Sequence, residues 1–401
     1  MAVVDNAGAI TADATGIHMQ NLKVDGLAAA TATGQAVRFD EYQLGNSFML
    51  FSLFGDGADG VLTISSGTTT LTRDMYYSNV TVSGTAKIDT GGYRMFVSGT
   101  LTLTGMPAGT IFRTTGAGTA ATSNVGGAAG AAFSAVDGFT LAFNTAGTAG
   151  ANGGTTAGNQ AAAPTARVNS SGGASGTSGA GGSGASGAGG VTRAGATVAR
   201  NGGNIFHRVP IGALDMCSGI FASTASPQPM NGGAGGPGGG GGGGDTTNAG
   251  GGGGGGGAGG LPLVVYARSI VLTGAAAGVI SAKGGNGGAG FTPTLGNCGG
   301  GGGGSGGGGG FGVLVVGSST PTTFTGALIA DGGDGGNGGN GIGTGVGGDG
   351  GSGGQGGLAI ACNLATAVMT SAVGTAAVTG GAHTAGTGGT GAAGEQCRAG
   401  W

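Results

Sequence analysis

Along this chain, hydrophobic positions cluster into short runs separated by long stretches that have no apolar period. Residues 56–115 are rich in Thr, Val and Ile, with Gly where turns are expected. Within them Asn79-Val-Thr-Val-Ser-Gly-Thr and Arg94-Met-Phe-Val-Ser-Gly-Thr-Leu-Thr-Leu repeat a Val-Ser-Gly-Thr unit fifteen positions apart. That spacing predicts successive rungs of a β-solenoid, each burying a Val/Leu/Ile row on the next. An antiparallel hairpin turning at Gly91-Gly92 is the alternative. Further on, Leu261-Pro-Leu-Val-Val-Tyr and Phe311-Gly-Val-Leu-Val-Val read as short strands, and another apolar run opens at Leu358. No stretch carries a sustained helical period, so little or no α-helix is expected.

Between the apolar runs the punctuation has a period of three. Asp331-Gly-Gly, Asp334-Gly-Gly and Asn337-Gly-Gly are the clearest case; Asp349, Ser352 and Gln355 open three more triplets. Three matches neither the 3.6 of a helix nor the 2 of a strand, but it matches the extended left-handed helix with three residues per turn. Every third side chain then falls on one edge and two edges are bare backbone, whose amides must bond to neighbouring chains. Collagen is excluded, because two of three positions are Gly and the whole chain has only 9 Pro. The pure glycine runs 238–244, 250–257 and 299–310 (broken only by Ser305) are expected at the centre of a polyglycine II bundle. Asp331, Asp334, Asn337, Asp349 and Gln355 are expected on its rim. The competing reading is a flexible linker, but linkers seldom alternate with apolar segments that need burial.

Ser281-Ala-Lys-Gly-Gly and Ala330-Asp-Gly-Gly stand about 48 residues apart, as do the apolar runs at Leu261, Phe311 and Leu358. Units of this kind are expected to stack on one another. Four regions result: 1–55, an attachment or oligomerisation region; 56–115, β-rich; 116–230, rich in Ala, Gly, Ser and Thr with a loop island; and 231–401, the glycine-rich repeats. In the first region the apolar run Phe48–Phe54 reads as core or as a docking surface.

Composition narrows the function. Of 401 residues 110 are Gly, and charged residues make up only 7%, about a quarter of the globular norm. A net charge of −3 without a basic stripe argues against nucleic acid. No apolar stretch is long enough to span a bilayer as a helix. The start Met-Ala-Val-Val-Asp lacks the charged and apolar regions of a secretory signal, so synthesis without a signal peptide is expected. Four cysteines without CxxC spacing read as isolated buried thiols more than as disulfides. His18, His207 and His383 sit in unrelated contexts, and no metal-ligand spacing occurs. Asp331, Asp334 and Asp349 lack the apolar position of a calcium-binding nonapeptide. No catalytic constellation, cofactor or metal is therefore expected.

A scaffold this poor in side chains puts its function on loops. The candidates are Phe206, His207 and Arg208 in the island 204–230; Asp245, Thr246, Thr247 and Asn248; Phe291, Pro293 and Leu295; and Trp401. Two resemblances bear on what they bind. Residues from Asn21 to Tyr42 are similar to a segment of many bacteriophage tail-fibre proteins. The alternation of Gly-rich runs and short segments over 231–401 resembles the distal tail-fibre adhesins of T-even-type phages. That family implies a polyglycine II sandwich whose connecting segments bind an outer-membrane protein or a surface sugar. It implies a virion location, other virion proteins as partners of the N-terminal region, a host receptor, and a homo-oligomer. The β-rich residues 56–115 depart from the family, which leaves direct mounting on a fibre tip open. A capsid fibre or decoration protein and an ice-binding protein are the other readings.

Overall fold

The computed structural model describes residues 10–13, 16–19, 53–132, 145–164, 167–168, 172–196, 198–199, 232–319, 326–363 and 368–373. The chain forms two compact units, Met1–Ser52 and Leu53–Trp401. What is described of the first is one antiparallel pair, β1 (Ile10–Asp13) with β2 (Gly16–Met19).

The second unit consists of strands and irregular chain, with almost no helix among the described residues. Its strands are β3 (Val61–Ile64), β4 (Thr68–Thr70), β5 (Met75–Tyr77), β6 (Asn79–Val82), β7 (Lys87–Asp89), β8 (Met95–Thr102) and β9 (Ile111–Phe112). After the first glycine-rich stretch come β10 (Arg167–Val168) and β11 (Val198–Ala199), a separate parallel pair. Then follow β12 (Leu263–Val271), β13 (Ile280–Ser281), β14 (Gly312–Ser319), β15 (Leu328–Ile329), β16 (Leu358–Asn363) and β17 (Val368–Val373).

These strands make two sheets. The larger has the order β17-β16-β14-β12-β8-β6-β3, with β5 also paired to β8; the smaller has the order β15-β13-β9-β7-β4. Every pairing in them is parallel except β16 with β17. Apart from β5 and β6, which follow one another in the larger sheet, and the separate pair β10 and β11, the chain from β3 to β16 passes back and forth between the sheets. Since β8 pairs with β12, the strand-rich stretch before the glycines and the apolar runs within them share one sheet.

The hairpin alternative at Gly91-Gly92 does not occur, because β7 and β8 flank that bend and belong to different sheets. The fifteen-residue spacing is not the ladder register either. Val80 lies opposite Leu101, and Thr81 opposite Thr102. The two Val-Ser-Gly-Thr units have different backbones. Gly84 lies in the turn after β6 at φ +61°, where a Cβ would strike the Ser65 carbonyl, whereas Gly99 runs inside β8 next to a register shift against β12.

Parallel strands covered on both faces read as continuous apolar runs, and Leu263–Ala267 of β12 is buried throughout. One face joins Leu263, Val265 and Ala267 to Val97, Leu101, Leu314, Ile111 and Ile280 in the core between the sheets. The alternate residues point the other way. There Tyr76, Phe96 and Tyr266 stack across β5, β8 and β12 at 4.9 Å centroid spacing, and Phe54 lies against Gly317 of β14. Phe54 is thus core, while Phe48 to Ser52 lie outside the described residues.

The glycine runs leave the ends of these strands and bond side by side. Residues 250–260 donate in rotation: Gly250, Gly253, Gly256 and Gly259 to residues 145–154, Gly251, Gly254, Gly257 and Gly260 to residues 299–308, and Gly252, Gly255 and Ala258 to residues 116–123. The same run accepts from residues 127–130, 233–242 and 285–291, so six segments surround it. Residues 299–310 likewise bond to the runs at 173–182, 234–243, 251–260, 282–291, 333–339 and 346–355. Residues 232–244, 250–260 and 299–310 are buried throughout, which puts the pure glycine runs inside. Asp331, Asp334, Asp349 and Gln355 are half-buried and Asn337 is exposed, so the triplet-opening side chains face outward, whereas Ser352 is buried.

Candidate functional site

The runs reverse direction in a set of short turns, and hydrogen bonds draw these together at the end remote from the strands. The Thr246 amide donates to the Thr155 carbonyl (2.7 Å), the Ser186 amide to that of Gly244 (3.0 Å), and the Ala185 amide to that of Asn297 (2.9 Å). Asn297 Oδ1 accepts from the Thr344 amide at 3.1 Å. The turn at 123–125 joins through bonds from the Gly153 amide to Asn124 and from the Gly252 amide to Ser123. Six turns, at 123–125, 155–157, 184–187, 245–248, 292–297 and 342–344, therefore form one tip. Turns gather here because the runs between them are held side by side in a common register.

Asp245 organises this tip. Its carboxylate accepts from the amides of Asn248 (2.7 Å), Thr247 (3.1 Å) and Asn297 (2.9 Å), and from Asn248 Nδ2. The Asn248 and Asn297 amides, foremost among these donors, hold its pKa down at about 2. The carboxylate is spent on positioning the turn 245–248 against the turn 292–297. Thr246 in that turn has φ +79°, a conformation that β-branched residues avoid, so the surrounding bonds must impose it. Beneath it Cys298 is a free, buried thiol that donates to the Asn248 carbonyl at 3.3 Å, with its pKa raised mainly by burial.

The structure brings two of the candidate groups together. Thr246 and Thr247 are exposed, Asp245 and Asn248 are half-buried, and Leu295 is 67% exposed at the point of its loop. Phe291 is half-buried and laced into the run by its backbone, donating to Gly252 and accepting from Gly301. Pro293 is buried, so it supports the loop and does not present itself. Phe206, His207, Arg208 and Trp401 lie outside the described residues. Residues not singled out from the sequence also belong to the tip: Val125, 57% exposed, with Ser123, Asn124, Thr155, Thr156, Asn297 and Thr344. Their signal was present, since each is a non-glycine interruption between two Gly-rich runs.

The tip is polar and nearly uncharged, with two large exposed apolar side chains, Val125 and Leu295. It can offer hydroxyls, amides and apolar contact from a fixed backbone. Among the described residues no cluster of His, Cys, Asp and Glu could hold a metal ion, and no helix is long and apolar enough to cross a membrane. Comparison of the chain with protein-family models, curated proteins and solved structures found no match.

The Asp245 bonds predict a pH response. Because the folded carboxylate titrates at about 2, below its ordinary 3.8, the bonds add stability above pH 4 that is lost as pH falls from about 4 to about 2. An NMR titration should place the Asp245 midpoint near 2, with the Asn297 amide exchanging faster only below that range. A midpoint near 4 would show that the carboxylate is not so engaged.

Proposed function

We propose that this chain is a phage virion structural protein, a tail fibre or receptor-binding adhesin that attaches to the host surface through the tip. The observation that carries this reading is the convergence of six turns on one surface, each anchored by runs bonded to their neighbours. Loops whose ends are already fixed lose little freedom on binding, which favours affinity for a receptor. The resemblance of residues 231–401 to phage adhesins supplies the virion context. On this reading the N-terminal region is the mount to other virion proteins, the protein acts without enzymatic chemistry, and a homo-oligomer is its assembled form.

The architecture we infer for it has two parts. The alternation of parallel strands between two sheets fits a short β-solenoid, and the runs fit a polyglycine II bundle. Two features support the bundle: donors rotate among three neighbours with a period of three, and none of the glycines in residues 232–244, 250–260 and 299–310 has positive φ.

The test is adsorption. In particles carrying Val125→Asp with Leu295→Asp, the protein should assemble normally while adsorption to host cells falls by about tenfold or more, the effect of removing two central apolar contacts. Unchanged adsorption with intact assembly would remove the tip as receptor site and bring the capsid-protein reading forward.

A further inference from the structure

At the other end of the glycine runs, where they leave the smaller sheet, lies a cleft of about 390 Å³. That volume suits a sugar residue or a short saccharide. Its walls come from β7, from the end of β9 with the run that follows, and from the residues that follow β13. Three cationic side chains line it, Lys87, Arg113 and Lys283, in a chain with only 13 Lys and Arg together. Phe112 and Asn286 line it as well.

We propose that this cleft binds the carboxylate of an acidic sugar. Carboxylates stand beside these cations: Asp89 and Asp334, with Asp331 bonded through its carbonyl to the Gly284 amide of the cleft wall. Asp89 is buried and accepts bonds from the amides of Thr114 and Gly91 and from the Thr114 hydroxyl. Asp334 pairs with Lys283 at 2.6 Å, yet both side chains remain about 40% exposed (41% and 39%). Arg113 lines the cleft but is only 8% exposed, and its charge is partly offset by Asp89. Cations gathered around a cleft attract an anion and raise its local concentration.

The chemistry of the walls favours a carboxylated sugar over a phosphate. Phosphate sites are commonly cradles of backbone amides, but the three glycine amides of this cleft are used: Gly109 donates to Gly278, Gly284 to Asp331, and Gly285 to Ala258. The charge is therefore supplied by side chains. Phe112, with the Lys87 ammonium 5.9 Å from its centroid, adds an apolar plane suited to sugar C–H groups. The Oδ1 of Asn286 already accepts from the Asp334 amide at 3.0 Å, leaving its Nδ2 as a donor for hydroxyls.

The site is separate from the tip, and its test does not depend on the tip's role. Glucuronate, glucose and inorganic phosphate are titrated into the purified full chain by calorimetry at two salt concentrations. Glucuronate should bind with a millimolar constant that weakens with salt, and glucose should show no heat. Lys87→Gln, which removes a charge at an exposed position, and its double variant with Lys283→Gln should each fold normally. The double variant should weaken glucuronate binding by about tenfold or more, while Val125→Asp with Leu295→Asp leaves it unchanged. If the double variant fails to fold, Lys87→Gln alone decides. Absence of glucuronate binding, indifference to these lysines, or phosphate binding as tight as glucuronate would each overturn the proposal.

Discussion

Replacing Gly303 by Val should abolish the folded state of the glycine region, whereas Asn337→Val should be nearly silent. A Cβ on Gly303 would overlap the Gly336 carbonyl oxygen and come within 2.7 Å of its carbon and 2.8 Å of the Gly351 nitrogen. All three are backbone atoms, so no side chain can swing aside. The run would have to part from its neighbours, breaking the bond from the Gly303 amide to Asp349 (2.8 Å) and that from Gly179 to the Gly303 carbonyl (2.9 Å). Buried backbone groups then lose their partners, each at about 1–3 kcal/mol. Together with the overlap, the cost should reach about 4 kcal/mol or more, the range of severe single substitutions. Asn337 already carries a side chain into solvent, as the opening residue of a rim triplet. Its replacement should change stability by about 1 kcal/mol or less. Thermal unfolding of the two variants beside the parent measures the contrast. Equal tolerance would mean that residues 299–310 are not packed backbone to backbone.

Truncating the middle ring of the aromatic stack should be the next most damaging change. Phe96 is 7% exposed and lies between Tyr76 and Tyr266, nearly parallel to both (7° and 5°), with the Arg94 guanidinium 5.5 Å from its centroid. Arg94 is itself held by an ion pair with Asp74. Phe96→Ala leaves a cavity among three strands, and Phe→Ala changes in cores cost about 3–5 kcal/mol. Loss of two stacked pairs accounts for part of that, at about 0.5–1.5 kcal/mol each. Val61, 65% exposed at the sheet edge, is the control; Val61→Ala should cost about 0.5 kcal/mol. Urea unfolding gives both values, and a double-mutant cycle of Phe96 with Tyr266 should be non-additive by at least about 0.5 kcal/mol. A cost below about 1 kcal/mol for Phe96→Ala would show that the stack does not hold β5, β8 and β12 together.

Both predictions concern a protein with two ways of being solid. Between the sheets, apolar side chains interlock as in ordinary cores. Among the runs there are almost no side chains, and cohesion comes from amide–carbonyl bonds and close backbone approach. Glycine loses much conformational freedom on folding, so each run depends on bonds to several neighbours at once. The adhesin reading rests on this rigidity, because a stiff frame lets short polar turns keep one arrangement at the tip.

By itself, the sequence determined which residues must be buried and in what style. The three-residue period and the runs 238–244, 250–257 and 299–310 leave only backbone to pack, and those runs are buried. The Val-rich segments after Leu261 and Phe311 were legible as short apolar strands, and their cover on both faces came from the tertiary structure. The turn at Asp245–Asn248 and the exposed Leu295 were legible as loop residues. What only the tertiary structure decided is who neighbours whom. A glycine run can bond to any other, parallel or antiparallel, because backbone amides are identical at every position and carry no pairing code. The register is set elsewhere, by β8 against β12 and by the lengths of the turns. The parallel order of the sheets, the true partner of Val80, the meeting of six turns at one tip and the gathering of Lys87, Arg113 and Lys283 in one cleft all follow from that register. Each brings together residues far apart in sequence, where no local pattern of side chains can specify the contact.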